Sequence, residues 1–541
     1  MALVLPFRCH SGRRAYVYVV GNLTTDLAKY AVEVRQTHIS WVFMTPDEVY
    51  KVKKPVNLGF LDFSDQSKRR TACDAELVLN SELSPDVYLG LVPVTRGVDG
   101  VHRFGGPGEV VDWAVHMRRL PDRDRLDQRL ARGAIGDWDL TEIAREVAGF
   151  HEGARVDAET GRFGDTETIR VNVVENFAQT EETVLSHVSR ADAEAIEAWQ
   201  LAFLDEREAL FQSRIDSGRV RDGHGDLRLE QTYIDDEGDV RILDRIEFNE
   251  RFRFGDVCSD VAFLSMDLSF RGRVDLAERF LALYARESND YDLFPLVDFY
   301  ESYRAYVRAK LASMAAADPG IDDAARERAA FEARRYYLLA LTAPRPSIIA
   351  PRVVAVGGVI ASGKSTVADR LSALIGAPVV ETDRTRKFMV GARPTDKLHE
   401  GSWSGAYDPA FTEDVYDEVY RRAGRVLASG RSVILDASFR SPAMRGRAAR
   451  LADDHGVPFE HVECVCDRET CLARLAERAK HESVSDGRAE IFDDFVARYQ
   501  SPEPEEVATF SGHLRLQTSH CLEEVTATLR EHFPTWDGLN G

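Results

Sequence analysis

Positive charge is scarce in this chain of 541 residues. Against 90 aspartates and glutamates stand 69 lysines and arginines, a formal net charge of −21 and a sequence pI near 5.2. Such a surface repels long nucleic acid unless its charge is strongly segregated, and it suits a small neutral or cationic partner. Cysteine is scarce too: seven, an odd number, thinly spread. No second ligand cluster completes a zinc pattern, and Cys464-Val465-Cys466 lies in an apolar run that reads as a buried strand. This usage fits a reducing cytoplasm. No apolar run approaches a membrane span, and Leu3 to Pro6 is too short for the apolar core of a secretion signal. Internal repeats and low-complexity tracts are absent. What remains is 44% hydrophobic. That supports large cores, in three or four structural domains or two larger modules.

The most informative stretch is Gly358-Val359-Ile360-Ala361-Ser362-Gly363-Lys364-Ser365, which fits G-x-x-x-x-G-K-[ST]. Val353 to Val356 before it reads as a short buried strand. Thr366 to Ile375 after it reads as a helix with Val367, Leu371 and Leu374 on one face and Gly376 as its stop. In that context glycines let the backbone wrap phosphates, and the helix N-terminus adds positive potential. Lys364 is expected to reach the β- and γ-phosphates of ATP, with Ser365 on Mg²⁺ and the backbone of Gly358, Ala361, Ser362, Gly363 and Thr366 around the anion.

Further along, Val379-Val380 leads into Glu381-Thr382-Asp383-Arg384-Thr385-Arg386. A strand ending here puts Asp383 at the carboxyl edge of a parallel sheet, where α/β ligands sit. Ser432 to Asp436 reads as a second buried strand ending in an acid, so Asp436 is a candidate metal ligand. Cys471 to Lys480 reads as a helix with Arg474 and Arg478 on one face, and Ser483 to Arg488 as a lid tip.

In the first half, Val17 to Val20 reads as a strand and Thr25 to Val34 as a helix. Ile39 to Phe43 and Val49 to Lys53 read as paired strands, and alternation puts Lys51 and Lys53 on one face. A charged helix from about Asp65 to Leu83 carries Glu76. Leu89–Thr95 and Gly108–Met117 read as another strand pair, and residues 126–151 and 180–216 as helical. The dense segment Asp222-Gly223-His224-Gly225-Asp226-Leu227 leads to Gln231, then to Val240 to Asp244, a strand ending in an aspartate. Helices fill 257–340, and Ala343-Pro344-Arg345-Pro346-Ser347 reads as a linker. The boundaries are therefore 1–342, 343–350 and 351–541.

Strand lysine, helix glutamate, His-x-Asp and strand-terminal aspartate, in that order, resemble the protein-kinase-like fold, and His224-Gly225-Asp226-Leu227 with Ile242-Leu243-Asp244 is most similar to aminoglycoside phosphotransferases. The resemblance covers roughly residues 35–340. It implies an α+β module in which Asp226 takes a proton from an acceptor hydroxyl and Asp244 and Gln231 hold Mg²⁺. Lys51 or Lys53 would contact ATP phosphates and pair with Glu76, and Val110 to Met117 would lie beside the adenine. Gln231 stands where that family has asparagine, no G-x-G-x-x-G precedes Lys51, and His224 would be a structural residue of its loop. The second half resembles the P-loop kinases that include chloramphenicol phosphotransferase, gluconate kinase, zeta toxins and polynucleotide 5′-hydroxyl kinase. That implies an α/β module with a parallel sheet, Asp383 as general base, Arg386 on the acceptor, and Arg474 and Arg478 closing on the transferring phosphate. The whole chain resembles bifunctional phosphotransferase/ATP-binding fusion proteins, expected to phosphorylate an alcohol group of a small molecule. An ATP-driven switch with a non-catalytic N-terminal half, and a polynucleotide kinase, are the alternatives.

Overall fold

A computed structural model describes residues 6–8, 14–16, 23–37, 39–57, 61–344, 346–398 and 404–536. It divides into two compact units: Met1–Asp267 with Tyr303–Leu341, and Leu268–Ser302 with Thr342–Gly541. Residues 268–302 thus group with the C-terminal half, whereas the sequence reading places the whole stretch before the Pro-rich linker in the first module. The strand read at Val17 to Val20 lies outside the described residues. The helix read at Thr25 to Val34 is corrected: Leu23–Ala28 is helical, but Glu33–Gln36 is a strand. β-branched Val34 pairs there with Phe43 of the next strand, so sheet pairing overrides the helical pattern.

The first unit holds a six-stranded antiparallel sheet ordered Glu33–Gln36, Ser40–Met44, Glu48–Lys53, Glu109–Arg118, Tyr88–Arg96 and His102–Phe104. In the third strand the period of two sends Lys51 and Lys53 to one face and Val52 to the other, where it joins Phe43, Val94 and Ala114. Helix Gln66–Ser81 packs on the lysine face and buries Cys73, Glu76 and Asn80. It starts at Asp65, whose carboxylate accepts from Lys68 N at 2.9 Å, a cap that contributes about 1 kcal/mol. Two small antiparallel ribbons, Val220–Asp222 with Phe254–Asp256 and Thr232–Ile234 with Val240–Ile242, carry the His224 loop and Asp244. Helices surround them.

The second unit is built on a five-stranded sheet ordered Val379–Glu381, Val433–Asp436, Val353–Gly357, Phe459–Val465 and Gly512–Gln517, with all neighbours parallel. Val353–Gly357 is buried along its whole length, as a strand covered by helices on both faces must be. Val354, Val356, Leu371, Leu374, Ile434, Val462 and Leu529 share one core. Cys464 is buried on its strand, in line with the sequence reading. Among the described residues, no helix is long and apolar enough to cross a membrane.

Residues 268–302 complete this unit. Helix Val274–Ser288 packs on helix Lys364–Ile375. Arg279 donates to Ser372 Oγ at 2.6 Å and to Asp369 at 2.9 Å. Tyr291 donates its hydroxyl to Val379 O at 2.6 Å, and Arg431 lies between Glu278 and Asp298 at 2.8 and 2.9 Å. Hydrogen bonds to charged groups contribute about 1.5–3 kcal/mol each. A fragment spanning 348–541, which loses this segment, should melt on the order of 10 °C or more below the full chain, or fail to fold. Differential scanning calorimetry checks this; a cooperative transition at the full chain's temperature would refute it.

Candidate active site

The P-loop follows the central strand, at the carboxyl ends of the parallel strands. Its backbone takes left-handed or otherwise glycine-favouring values at Gly358 (φ 146°), Ala361 (φ 60°) and Gly363 (φ 86°). A Cβ on Gly358 would lie 2.6 Å from Cys464 O, so only glycine lets this turn pass the neighbouring strand. Helix Lys364–Ile375 starts two residues earlier than the sequence pattern indicates, and Gly376 ends it in the left-handed conformation.

The loop opens on a cavity of about 390 Å³. Gly358, Ala361, Gly363, Lys364, Ser365, Thr366, Asp436 and Arg478 line it, as do Asp383 and Arg386. One space therefore holds the phosphate-loop residues and the candidate acceptor residues. Lys364 Nζ donates to Val359 O at 2.9 Å. Burial pushes the Asp436 carboxyl upward, while the Lys364 charge and a hydrogen bond from Ser365 pull it back. Ser365 and Asp436 line the same cavity, as two ligands of a shared metal would. Arg386 is buried; it donates to Ala406 O and to Thr412 Oγ1 and lies over the Tyr407 ring at 4.6 Å.

Ser362, expected to contribute its backbone, has its side chain buried. One expected residue sits elsewhere. Arg474 donates to Ala361 O at 3.3 Å and Thr518 O at 2.5 Å, so it braces the P-loop from behind instead of facing the cavity. Arg478, one turn further along the helix, does face it.

In the first unit, Lys51, Lys53, Glu76 and Asp244 meet as the sequence reading expects. Lys51 contacts Glu76 at 2.8 Å and pairs with Asp244. Lys53 contacts Glu76 at 2.5 Å and pairs with Glu247. Burial opposes the charge on Lys51, and Asp244 and Glu76 outweigh it. Asp244 has φ 68°, an uncommon value for a non-glycine residue, which turns the chain sharply at the strand end. His224 donates from Nε2 to Leu243 O at 3.0 Å, its Nδ1 accepts from Asp226 N at 3.2 Å, and burial pushes its pKa down. It is a neutral structural residue, as read. Arg228 grips both carboxylate oxygens of Asp226, at 2.8 and 3.1 Å. Burial works against that carboxylate, but Arg228 outweighs it and holds the group below its usual range. The backbone carbonyl of Gln231 accepts from Leu243 N at 2.9 Å.

A family described as AAA domain matches residues 353–502. A Mycobacterium tuberculosis (strain ATCC 25618 / H37Rv) protein, "Uncharacterized protein Rv2004c", is 34% identical over 467 residues, covering 86% of this chain and 90% of its own. The chain belongs to the family of that protein. Among solved structures, a sugar kinase from Janibacter sp. HTCC2649 is similar at 17% identity, covering 34% of this chain and 94% of its own, with a TM-score of 0.25. The Mycobacterium tuberculosis APS kinase in complex with AMPPNP and APS is similar at 17% identity, covering 36% of this chain and 100% of its own, with a TM-score of 0.24. The AAA-domain match spans the strand, the P-loop and the helix that build this cavity.

Sequence reasoning missed several residues of both sites. Glu247 and Arg228 carry a recoverable signal: two buried lysines need two carboxylates, and a buried loop aspartate needs a cation. Arg286 lines the C-terminal cavity from residues 268–302, and no local pattern announces it. Glu381, at the end of its strand, also lines the cavity, and burial pushes its carboxyl up to about 7 despite Arg384. The folded state then binds a proton that the unfolded state releases near pH 4.5. Stability is lost as pH rises from about 4.5 to about 7, a contribution of about 3 kcal/mol. Glu381→Gln should match wild type in thermal midpoint at pH 5 and exceed it at pH 8. Equal midpoints at pH 8 would show that the carboxylate is not destabilising.

Proposed function

We propose that the C-terminal unit transfers the γ-phosphoryl group of ATP to a hydroxyl group of a small molecule. The observation that carries this reading is the single cavity in which Lys364, Ser365 and Asp436 share walls with Asp383 and Arg386. A bound Mg²⁺–ATP would supply the transferable phosphoryl group and a neutralising cation. The residues fit it: the Gly358 turn has no room for a side chain, Ser365 and Asp436 line one cavity, and Lys364 stands at the loop mouth. Ser365 and Asp436 would hold the metal. Asp383 would accept the proton of the attacking hydroxyl, and Arg386 would orient the acceptor. Lys364 and Arg478 face the space where charge is redistributed, and such fixed cations favour the transition state because they need no reorganisation. ADP release with and without a panel of sugars, sugar acids and aminoglycosides tests the reading. Acceptor-dependent release with a phosphorylated product by mass spectrometry supports it. Acceptor-independent release favours an ATP-driven switch.

A second reading concerns the first unit, where Lys51, Glu76 and Asp244 lie together. We infer an aminoglycoside-phosphotransferase-like site there, with Asp244 and Gln231 as metal ligands and Asp226 beside the acceptor. Asp244→Ala should abolish the nucleotide binding that remains in full-length Lys364→Ala, as read by calorimetry. Gln231→Asn should keep or raise the rate of that site, because octahedral Mg²⁺ tolerates a displaced ligand poorly. Failure of any second nucleotide equivalent to bind in Mg²⁺ would leave this unit a binding domain of another kind.

A further inference from the structure

The acceptor end of the C-terminal cavity carries more positive charge than the −21 of the whole chain suggests. Arg386 and Arg440 both line it, beside Asp383, Tyr407, Thr412 and Tyr416. Arg386 is 5% exposed, and among the described residues its Nε has no hydrogen-bond partner and no carboxylate lies within ion-pair distance of it. Its Nη1 edge is already committed to Ala406 O and Thr412 Oγ1. A buried guanidinium with an open N–H is costly unless a ligand completes it.

Arg440 arrives from another element. Its loop is rigid: Phe439 has φ 43°, Phe439 O accepts from buried Arg445 at 2.8 Å, and Arg440 O accepts from Gln500 N at 2.9 Å. Burial lowers the pKa of Arg440; Tyr416 and Glu413 pull it up, while the charges of Arg498 and Arg386 push it down. Two guanidiniums, Arg386 and Arg440, line this cavity. Asp486, on the lid side of the cavity, is engaged by other groups. Asp486 is buried against Lys387 at 3.3 Å and accepts from Tyr407 Oη at 2.8 Å.

We propose that the acceptor is an anionic alcohol, a hydroxy compound bearing a carboxylate or a phosphate group that Arg386 and Arg440 bind while Asp383 faces its hydroxyl. Planar guanidinium forks match both anions. This rests on the acceptor-site reading above, and it replaces the neutral or cationic partner suggested by overall charge with an anion selected by local charge.

The test is calorimetry on the full chain saturated with Mg²⁺ and a non-hydrolysable ATP analogue. D-gluconate, glucose 6-phosphate and D-glucose are titrated in turn, which separates carboxylate, phosphate and neutral forms of one skeleton. At least one anion should bind tenfold or more tighter than glucose. Arg440→Gln should weaken that anion by about 10- to 100-fold and leave the affinity for the analogue unchanged. Arg386→Lys, which keeps charge but loses the fork, should weaken it as well, with its thermal midpoint checking the fold. No anion binding, equal binding of glucose, or no effect of either substitution would each overturn the proposal. Phosphoryl transfer to a neutral alcohol would overturn it and leave the kinase reading standing.

Discussion

Replacing Lys364 with alanine is expected to lower ATP turnover by the C-terminal unit on the order of 10²-fold or more. Two effects combine. The ammonium is a positioned cation at the P-loop mouth, 2.9 Å from Val359 O. It is also the strongest attractive charge acting on Asp436, whose carboxyl burial already pushes upward. Without Lys364 that attraction is lost, and the Asp436 carboxyl moves further upward. The measurement is steady-state ADP release from the full chain in an Asp244→Ala background, so that any first-unit turnover is silent. The short 348–541 fragment is unsuitable, because it lacks the segment that packs on the P-loop helix. Near-normal release would sink the P-loop assignment.

Asp383→Asn should separate binding from chemistry. Asp383 lines the same cavity as Lys364 but comes from the first turn of helix Thr382–Met389, which follows the edge strand Val379–Glu381, not from the phosphate loop. Asparagine keeps its shape and removes its basicity. Transfer should fall by about 10²–10⁴-fold, the usual contribution of a general base, while affinity for Mg²⁺–nucleotide stays within about threefold. Burst kinetics and equilibrium titration on the same sample read the two quantities. If the variant instead loses nucleotide affinity, Asp383 belongs with Ser365 and Asp436 around the metal, and the acceptor needs another base.

The central features of both sites were legible because each is encoded locally. Gly358 to Ser365 needs its residues at fixed spacing for the backbone to wrap an anion. The alternation that puts Lys51 and Lys53 on one face is a property of any strand, and it led directly to the Glu76 contacts. Arg474 shows where local reasoning fails. A helix face tells that Arg474 and Arg478 point roughly alike, but not that Thr518 and Ala361 carbonyls wait for the first of them. Val34 was misread because strand pairing with Phe43 is non-local. The grouping of 268–302 with the P-loop unit left no trace in composition, since a helix packed on either unit carries the same amphipathic pattern.

That discontinuous unit has a temporal side. Translation delivers residues 268–302 first, and the last strand of their sheet, Gly512–Gln517, is about 210 residues later. At ~5–20 residues per second the early segment waits about 10 to 40 s for its complete partner. During that interval Arg279 has neither Ser372 nor Asp369 to bond, and Tyr291 has no Val379 carbonyl. The P-loop is thus assembled late, onto a helix made in advance, and the ribosome's pace sets how long those groups wait.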